Sequence, residues 1–292
     1  METVENILKK AVQKLQEGKI HTPQLDAEVI LSNLLQVERI KLHIYPEMEI
    51  SREICQKFWT KVEKRLKNMP VQYIVHNQEF MGLDFWVEEG VLIPRADTEI
   101  LVEKILDIYN ENYSPSSIRL MDIGVGSGAI SVSLAKLIER SQVYAVDISP
   151  KALEVAFKNA KIHGIEDKIV FLKGSLFHPL QGKTLEKTFD IIVSNPPYIP
   201  KRVIETLDKE VRDYEPHGAL DGGEDGLDFY KKIIEKAPVF LKEKGLLAFE
   251  IGYDQGKDIS NIMGEKGFSS IEVIKDLAGH DRVVLGNLIK NS

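Results

Sequence analysis

From Ile93 onward the chain alternates short apolar runs with helical patterns, and this alternation restricts its architecture more than any other feature. The runs "IRLMDIG", "QVYAVDI", "KIVFLKG", "FDIIVSN" and "GLLAFEIG" have strand length and are apolar almost throughout. Between them, helical stretches are expected over residues 98–110, 129–139, 150–163 and 226–241. Strands that are apolar on both faces must be covered on both, which predicts a largely parallel sheet between helical layers, an α/β fold. The closing segments "FSSIEVIKDL" and "DRVVLGNLI" read as a last strand pair, antiparallel to each other. Ligands of such sheets bind outside the carboxyl ends of the strands. Those ends are where functional residues are to be sought.

Residues 1–72 differ in kind. Apolar residues recur at helical spacing over 3–17, 23–37 and 51–68, among them Val4, Ile7, Leu8, Val12 and Leu15. Thr22-Pro23 and Ser51 supply helix starts. A small helical bundle is expected there, followed over 73–92 by a β-hairpin linker with aromatic and β-branched residues around Gly82 and Gly90. The α/β domain then runs over 93–292. With 43% hydrophobic residues the chain can fill these cores. Cys55 is the single cysteine, "METVENILKK" has no apolar signal core, and no apolar run reaches membrane-spanning length, so a cytoplasmic protein is expected. Residues 1–80 carry 12 basic and 11 acidic side chains, the remainder 26 and 34. That balance argues against a protein that holds long stretches of nucleic acid.

"MDIGVGSGAI" places Gly124, Val125, Gly126, Ser127 and Gly128 between the first strand of the α/β domain and the next helix. Glycines there permit a tight turn and let a ligand approach the main chain and the helix amides. Asp147 ends the second strand, 19 residues past Gly128. A carboxylate at that place can accept hydrogen bonds from both ribose hydroxyls of a nucleoside cofactor. Gly124, Gly126 and Ala129 also satisfy G-x-G-x-x-A, so a nicotinamide dinucleotide stays open, and so does a turn that binds nothing. Asp122 suits a cofactor with a cationic ammonium group, such as S-adenosylmethionine, or else accepts loop amides.

"IIVSNPPYIP" ends a buried strand in a rigid turn, because proline donates no backbone hydrogen bond and restricts the residue before it. A planar amide or aromatic-amine nitrogen is a poor nucleophile, its lone pair being delocalised. Acceptors holding its N–H bonds would aim that lone pair at a methyl donor and stabilise the positive charge that develops. Asn195 and the Pro196 carbonyl can be those acceptors, Pro197 stiffens the turn, and the Tyr198 ring can stack on the planar group. A proline-stiffened loop with a capping Asn is the plainer reading; the glycine loop upstream favours the functional one.

In order, "DIGVGSG", "VDIS" and "SNPPY" resemble the seven-stranded, Rossmann-like S-adenosylmethionine-dependent methyltransferases of amino groups and amides. "LIPRADTE", "YEPHGALDGGEDGLDFY" and "DLAGHDRVV", with the helical N-terminal domain, narrow this to a resemblance to the peptide chain release factor glutamine methyltransferases, the PrmC/HemK family. The resemblance spans essentially the whole chain. It implies methylation of the glutamine side-chain amide in the Gly-Gly-Gln motif of release factors, with S-adenosyl-L-homocysteine as by-product and the N-terminal domain helping to hold the protein substrate. By matching motif, Gly124 to Gly128 line the methionine and ribose part, Asp147 takes the ribose, and Asn195, Pro196, Pro197 and Tyr198 hold the glutamine. Ser175 and Leu176 fall where adenine is contacted, Ser175 replacing a frequent Asp and Leu176 a frequent aromatic. Arg95, Thr98 and Glu99 are candidates to close over the cofactor, or simply to start a helix capped by Asp97 or Thr98.

The seven histidines show no metal-ligand spacing, and no metal is expected. "LDGGEDGLD" lacks calcium-loop spacing and reads as a lid or substrate-facing loop. Glu250 reads as a structural strand terminus. "KFWTKVEKRLK" reads as a solvated helix face. A monomer without membrane or nucleic-acid partners is expected. Alternatives are an adenine- or cytosine-modifying nucleic-acid methyltransferase, a nicotinamide-dependent oxidoreductase, or a catalytically silent binding module.

Overall fold

In the computed structural model, which describes residues 2–289, the chain divides into two units. One comprises residues 1–77 and Asp208–Tyr214, the other residues 78–207 and 215–292.

The first unit is helical. A two-residue strand β1 (Glu2–Thr3) leads to α1 (Val4–Glu17), α2 (Pro23–Leu35) and α3 (Arg39–Ile44); β2 (Glu49–Ile50) pairs antiparallel with β1, and α4 (Arg52–Leu66) and α5 (Val71–Val75) follow. Thr3 and Ser51 cap α1 and α4 through their hydroxyls, whereas Thr22 caps α2 without a side-chain bond. Val4, Ile7, Leu8, Ala11 and Leu15 on α1 pack with Ile30, Leu31, Phe58 and Val62 into one core. Residues 71–75 correct the expected extent of the hairpin. Tyr, Ile and Val there favour strands in isolation, but they follow Pro70 and bury Ile74 and Val75 in the helical core, so tertiary packing overrides local preference.

In the second unit the hairpin is confined to β3 (Gln78–Phe80) and β4 (Leu83–Phe85). Then come α6 (Ala96–Asn112), β5 (Ile118–Ile123), α7 (Ala129–Leu137), β6 (Ser141–Asp147), α8 (Pro150–Ile162), β7 (Ile169–Lys173), β8 (Phe189–Ser194) and α9 (Lys201–Ile204). Helix α10 (Lys209–Tyr214) is the segment assigned to the first unit; α11 (Asp228–Phe240), β9 (Leu241–Glu250), α12 (Gly256–Glu265), β10 (Phe268–Lys275) and β11 (Asp281–Leu288) complete the second. Seven strands form one sheet in the order β10-β11-β9-β8-β5-β6-β7. β7, β6, β5, β8 and β9 are parallel, while β11 runs antiparallel to β9 and β10. The expected closing strand pair is therefore present.

The sheet is buried on both faces, as its apolar runs require. Leu120, Val143, Ala145, Ile191 and Val193 face a core shared with residues of α6, α7 and α8. Met121, Ile123, Val146, Ile192 and Leu247 face another shared with α11 and α12. The chain builds outward from β5 through β6 to β7, then returns to place β8 on the opposite side of β5. That reversal is a topological switch point, where connections diverge and leave a crevice at the strand ends.

Candidate active site

Pairing of β5 with β8 puts Ile123 opposite Ser194, so the glycine loop and the Asn-Pro-Pro-Tyr turn leave the sheet side by side. A cavity of about 570 Å³ opens there. Of the residues singled out from sequence, Arg95, Thr98, Gly124, Val125, Gly126, Ser127, Asp147, Ser175, Leu176, Asn195, Pro196 and Pro197 line it; Asp122, Gly128 and Tyr198 do not. Ile148, Ile130 and Phe229 also line it without having been signalled. Ile148 follows Asp147 and is 70% exposed, and an apolar side chain so placed is a platform for a flat ring.

The loop is built around three left-handed glycines, with φ of 82° at Gly124, 55° at Gly126 and 87° at Gly128. They serve different ends. A Cβ on Gly126 would meet nothing within 4 Å, so its backbone faces open space, whereas a Cβ on Gly128 would come within 3.0 Å of Ala156 on α8. Gly128 thus lets loop and helix pack closely. Asp147 braces the loop: its Oδ2 accepts from the Gly126 amide (3.0 Å) and its Oδ1 from the Ser149 amide (2.8 Å). Each carboxylate oxygen retains a second acceptor site, so hydroxyl donors can still be received. Asn159, fully buried on α8, donates to the Ser127 carbonyl (2.8 Å) and exchanges two bonds with the Trp86 backbone (2.7 and 3.0 Å).

Asp122 lies behind the loop. Its Oδ2 accepts from the Ser131 hydroxyl (2.6 Å), while Oδ1 is buried with no partner among the described residues. Burial, opposed by Ser131 and reinforced by the negative charge of Asp147, pushes its pKa up to about 7. This matches the anchoring role more than direct contact, with the acceptor bonded to the first turn of α7.

Asn195 is half-buried at the end of β8, and its Nδ2 donates to Thr98 Oγ1 (3.3 Å). The Thr98 hydroxyl in turn donates to Oε2 of the fully buried Glu250. Helix α6 begins at Ala96 with Arg95 as its N-cap and no side-chain capping bond, so neither Asp97 nor Thr98 is the cap. Arg95 instead pairs with Glu215, and Glu99 accepts from the Met81 amide (2.6 Å). Tyr198 packs with the core that α11 and α12 share, and burial raises its hydroxyl pKa well above the usual value, helped by the charge of Glu250.

The segment after the turn is not a detached lid. Ile199 donates to the Leu220 carbonyl (3.0 Å) and accepts from the Gly222 amide (2.9 Å). A Cβ on Gly222 would fall 2.8 Å from the Pro197 carbonyl oxygen, and one on Gly226 2.3 Å from that of Tyr198. The glycines of "LDGGEDG" allow backbone to lie against backbone, and Gln255 stitches the two by donating to both the Tyr198 (3.1 Å) and Gly226 (3.3 Å) carbonyls. The carboxylates of this loop, which lack calcium-loop spacing, say little about its place; its glycines set the packing.

The arrangement fits S-adenosyl-L-methionine. Open glycine backbone, a carboxylate with acceptor capacity on the rim and apolar side chains at Ile148 and Leu176 match its methionine portion, ribose and adenine, while the buried unpartnered Asp122 oxygen adds negative charge behind the loop. Among the described residues no cluster of His, Cys, Asp and Glu could hold a metal ion, and no helix is long and apolar enough to cross a membrane.

Comparison with known proteins agrees with this geometry. The chain matches the PrmC N-terminal domain over residues 6–75 and a methyltransferase domain over residues 114–264. It is 44% identical to the release factor glutamine methyltransferase of Clostridium acetobutylicum, over 97% of each chain. With the enzyme of that name from Fusobacterium nucleatum it shares 43% identity, over 96% of this chain and 77% of the relative. Among solved structures, the hMettl16 catalytic domain matches with a TM-score of 0.56 at 15% identity, covering 83% of this chain and 84% of that one. A methyltransferase from Pyrococcus furiosus matches with a TM-score of 0.51 at 19% identity, over 72% and 91%. Those two likenesses concern the fold. The relatives' identity over nearly the whole length shows more: this chain belongs to the family of release factor glutamine methyltransferases.

Proposed function

We propose that the protein transfers a methyl group from S-adenosyl-L-methionine to the side-chain amide nitrogen of the glutamine in the Gly-Gly-Gln motif of translation release factors. The observation that carries this reading is the shared cavity, in which Asn195 and Pro196 stand beside Gly124, Gly126 and Asp147. The names of the relatives support release factors as the substrate class.

Bound S-adenosyl-L-methionine supplies an electrophilic methyl on a sulfonium and leaves as the thioether S-adenosyl-L-homocysteine. Gly124, Val125, Gly126 and Ser127 would hold its methionine and ribose portion, Asp147 its ribose hydroxyls, and Ser175, Leu176 and Ile148 its adenine. Asn195 Oδ1 and the Pro196 carbonyl would accept the two N–H bonds of the substrate amide, turning its lone pair out of conjugation and toward the cavity. Both acceptors stabilise positive charge on nitrogen as the N–C bond forms. The extra proton then passes to water, leaving a neutral N-methyl amide. The first unit, which contains the PrmC N-terminal domain, would contact the release factor.

The test incubates the full chain with methyl-labelled S-adenosylmethionine and a release factor, its Gly-Gly-Gln variant lacking the glutamine, or DNA. Label is expected on the unaltered release factor alone. Label on DNA, or label that survives loss of the glutamine, would sink the reading. Asn195→Ala is expected to bind S-adenosylmethionine normally and to lose on the order of 10²–10³ in turnover, the scale of one lost transition-state hydrogen bond.

A further inference from the structure

One buried carboxylate beside the Asn195 amide has no part in the chemistry above. We propose that Glu250 is a positioning residue that, through the Thr98 hydroxyl and by its own attraction for the Asn195 NH₂, fixes which atom of the Asn195 amide meets the substrate nitrogen. The proposal rests on the methyl-transfer reading.

Register brings the two residues together. β8 and β9 are parallel with Ser194 opposite Phe249, so Asn195 and Glu250 are the next residues along each. Glu250 is held on every side: its backbone pairs with Val283 of β11, and its carbonyl accepts from the buried Tyr230 hydroxyl (2.8 Å). Thr98 comes from the first turn of α6, where Arg282 pairs with the adjacent Asp97 (3.2 Å) and with Asp276 (3.0 Å). The contact thus joins residues 152 apart in sequence.

The direction of the hydrogen bonds carries the argument. A threonine hydroxyl has one proton, and here that proton goes to the Glu250 carboxylate. Above its pKa of about 7 the Glu250 carboxylate is ionised and can only accept, so Thr98 Oγ1 then presents lone pairs to its other neighbour. That neighbour is Asn195, which must offer its NH₂. Oxygen and nitrogen of an amide have nearly the same shape, and only the surrounding bonds decide which way the group faces. With Nδ2 committed to Thr98, Oδ1 is the atom left for a substrate N–H. Reversed, the amide would present donors to a donor and would hold no N–H bond. One acceptor behind the site therefore makes Asn195 an acceptor within it.

Glu250→Gln tests this. Glutamine keeps the shape but has an NH₂ that can donate to Thr98 Oγ1, so the direction of the chain is no longer specified. With saturating release factor and labelled S-adenosylmethionine at about pH 8.5, where Glu250 is ionised, kcat is expected to fall roughly 10- to 100-fold while the Kd for S-adenosylmethionine stays within about twofold. In an Asn195→Ala background the same substitution should leave the residual rate unchanged, because nothing remains to be oriented. Thr98→Val should give part of the loss, since Glu250 also attracts the Asn195 NH₂ directly, and Thr98→Ser should recover it, the opposite of what a packing role for the threonine methyl would give. Wild-type kcat in Glu250→Gln, or an equal further fall in the Asn195→Ala background, would overturn the proposal. A wild-type chain that moves no label onto release factor would overturn the functional reading and this proposal with it.

Discussion

Asp122 and Glu250 are both carboxylates that folding removes from water, and burial raises each to about pH 7. A carboxylic acid whose folded pKa exceeds its unfolded value stabilises the fold below the unfolded pKa and loses that contribution as pH rises through the folded one. For Asp122 the window runs from the ordinary aspartate value of about 4 up to about 7. Asp122→Asn removes the ionisation while keeping an acceptor for Ser131. Relative to wild type, its stability is expected to improve by about 2–3 kcal/mol between pH 5 and pH 8. Urea unfolding of both proteins at the two values checks this, and Glu250 cancels in the comparison because it is present in both. Parallel pH profiles would show that Asp122 stays ionised in the folded chain or is not buried there.

At the level of elements, the site is three loops at the carboxyl ends of neighbouring strands of one sheet, and the legibility of its parts differed for a physical reason. The glycine loop, Asp147 and the Asn-Pro-Pro-Tyr turn each carry their chemistry within a few adjacent residues at a strand end, so short windows of sequence display it. The strands from residue 93 on and helices α6, α7, α8 and α11 were legible by the same token, since each is a local pattern, whereas α9, α10 and α12 were not expected from the sequence. Glu250 and Thr98 depend on pairing between β8 and β9 and on the start of α6, and no local pattern encodes that. Helix α5 was hidden because Tyr73, Ile74 and Val75 favour strands until a helical core receives them. The close packing of the Leu220–Gly226 stretch was not legible, because a glycine needed for close approach looks in sequence like one needed for a turn. Gly226, at φ 76°, leaves no room for a methyl group beside the Tyr198 carbonyl. Gly226→Ala should therefore cost about 1–3 kcal/mol and disturb the turn it rests on. Turnover is expected to drop more than S-adenosylmethionine affinity, because the displaced backbone belongs to the acceptor side. Thermal unfolding with parallel kinetics checks both effects, and an unchanged Tm would mean that the loop yields freely.

At the scale of the molecule, the helical unit is not one continuous stretch, since residues 1–77 are joined by α10 from much later in the chain. Arg65 explains the joining. It is almost wholly buried on α4, donating through Nε to Asp26 (2.6 Å), through Nη1 to the Met69 carbonyl (3.1 Å) and through Nη2 to Glu210 on α10. Tyr214 adds a bond from its hydroxyl to the Lys67 carbonyl (2.7 Å). A buried guanidinium is tolerated only while its donors are met, and a buried Asp26 only while the guanidinium is there. Arg65→Ala leaves the aspartate uncompensated and should destabilise the helical unit by about 3–5 kcal/mol. Glu210→Gln removes charge from a more exposed partner but keeps an acceptor, so about 1 kcal/mol is expected. The chain has two tryptophans, Trp59 in the helical unit and Trp86 in the other. In a Trp86→Phe background, Trp59 fluorescence follows the helical unit alone during urea unfolding. Its transition should move far to lower urea in Arg65→Ala and only slightly in Glu210→Gln. Equal shifts would assign the stabilisation to α10 rather than to the buried pair, and no shift in either would mean that Asp26 gains water when its partner is gone.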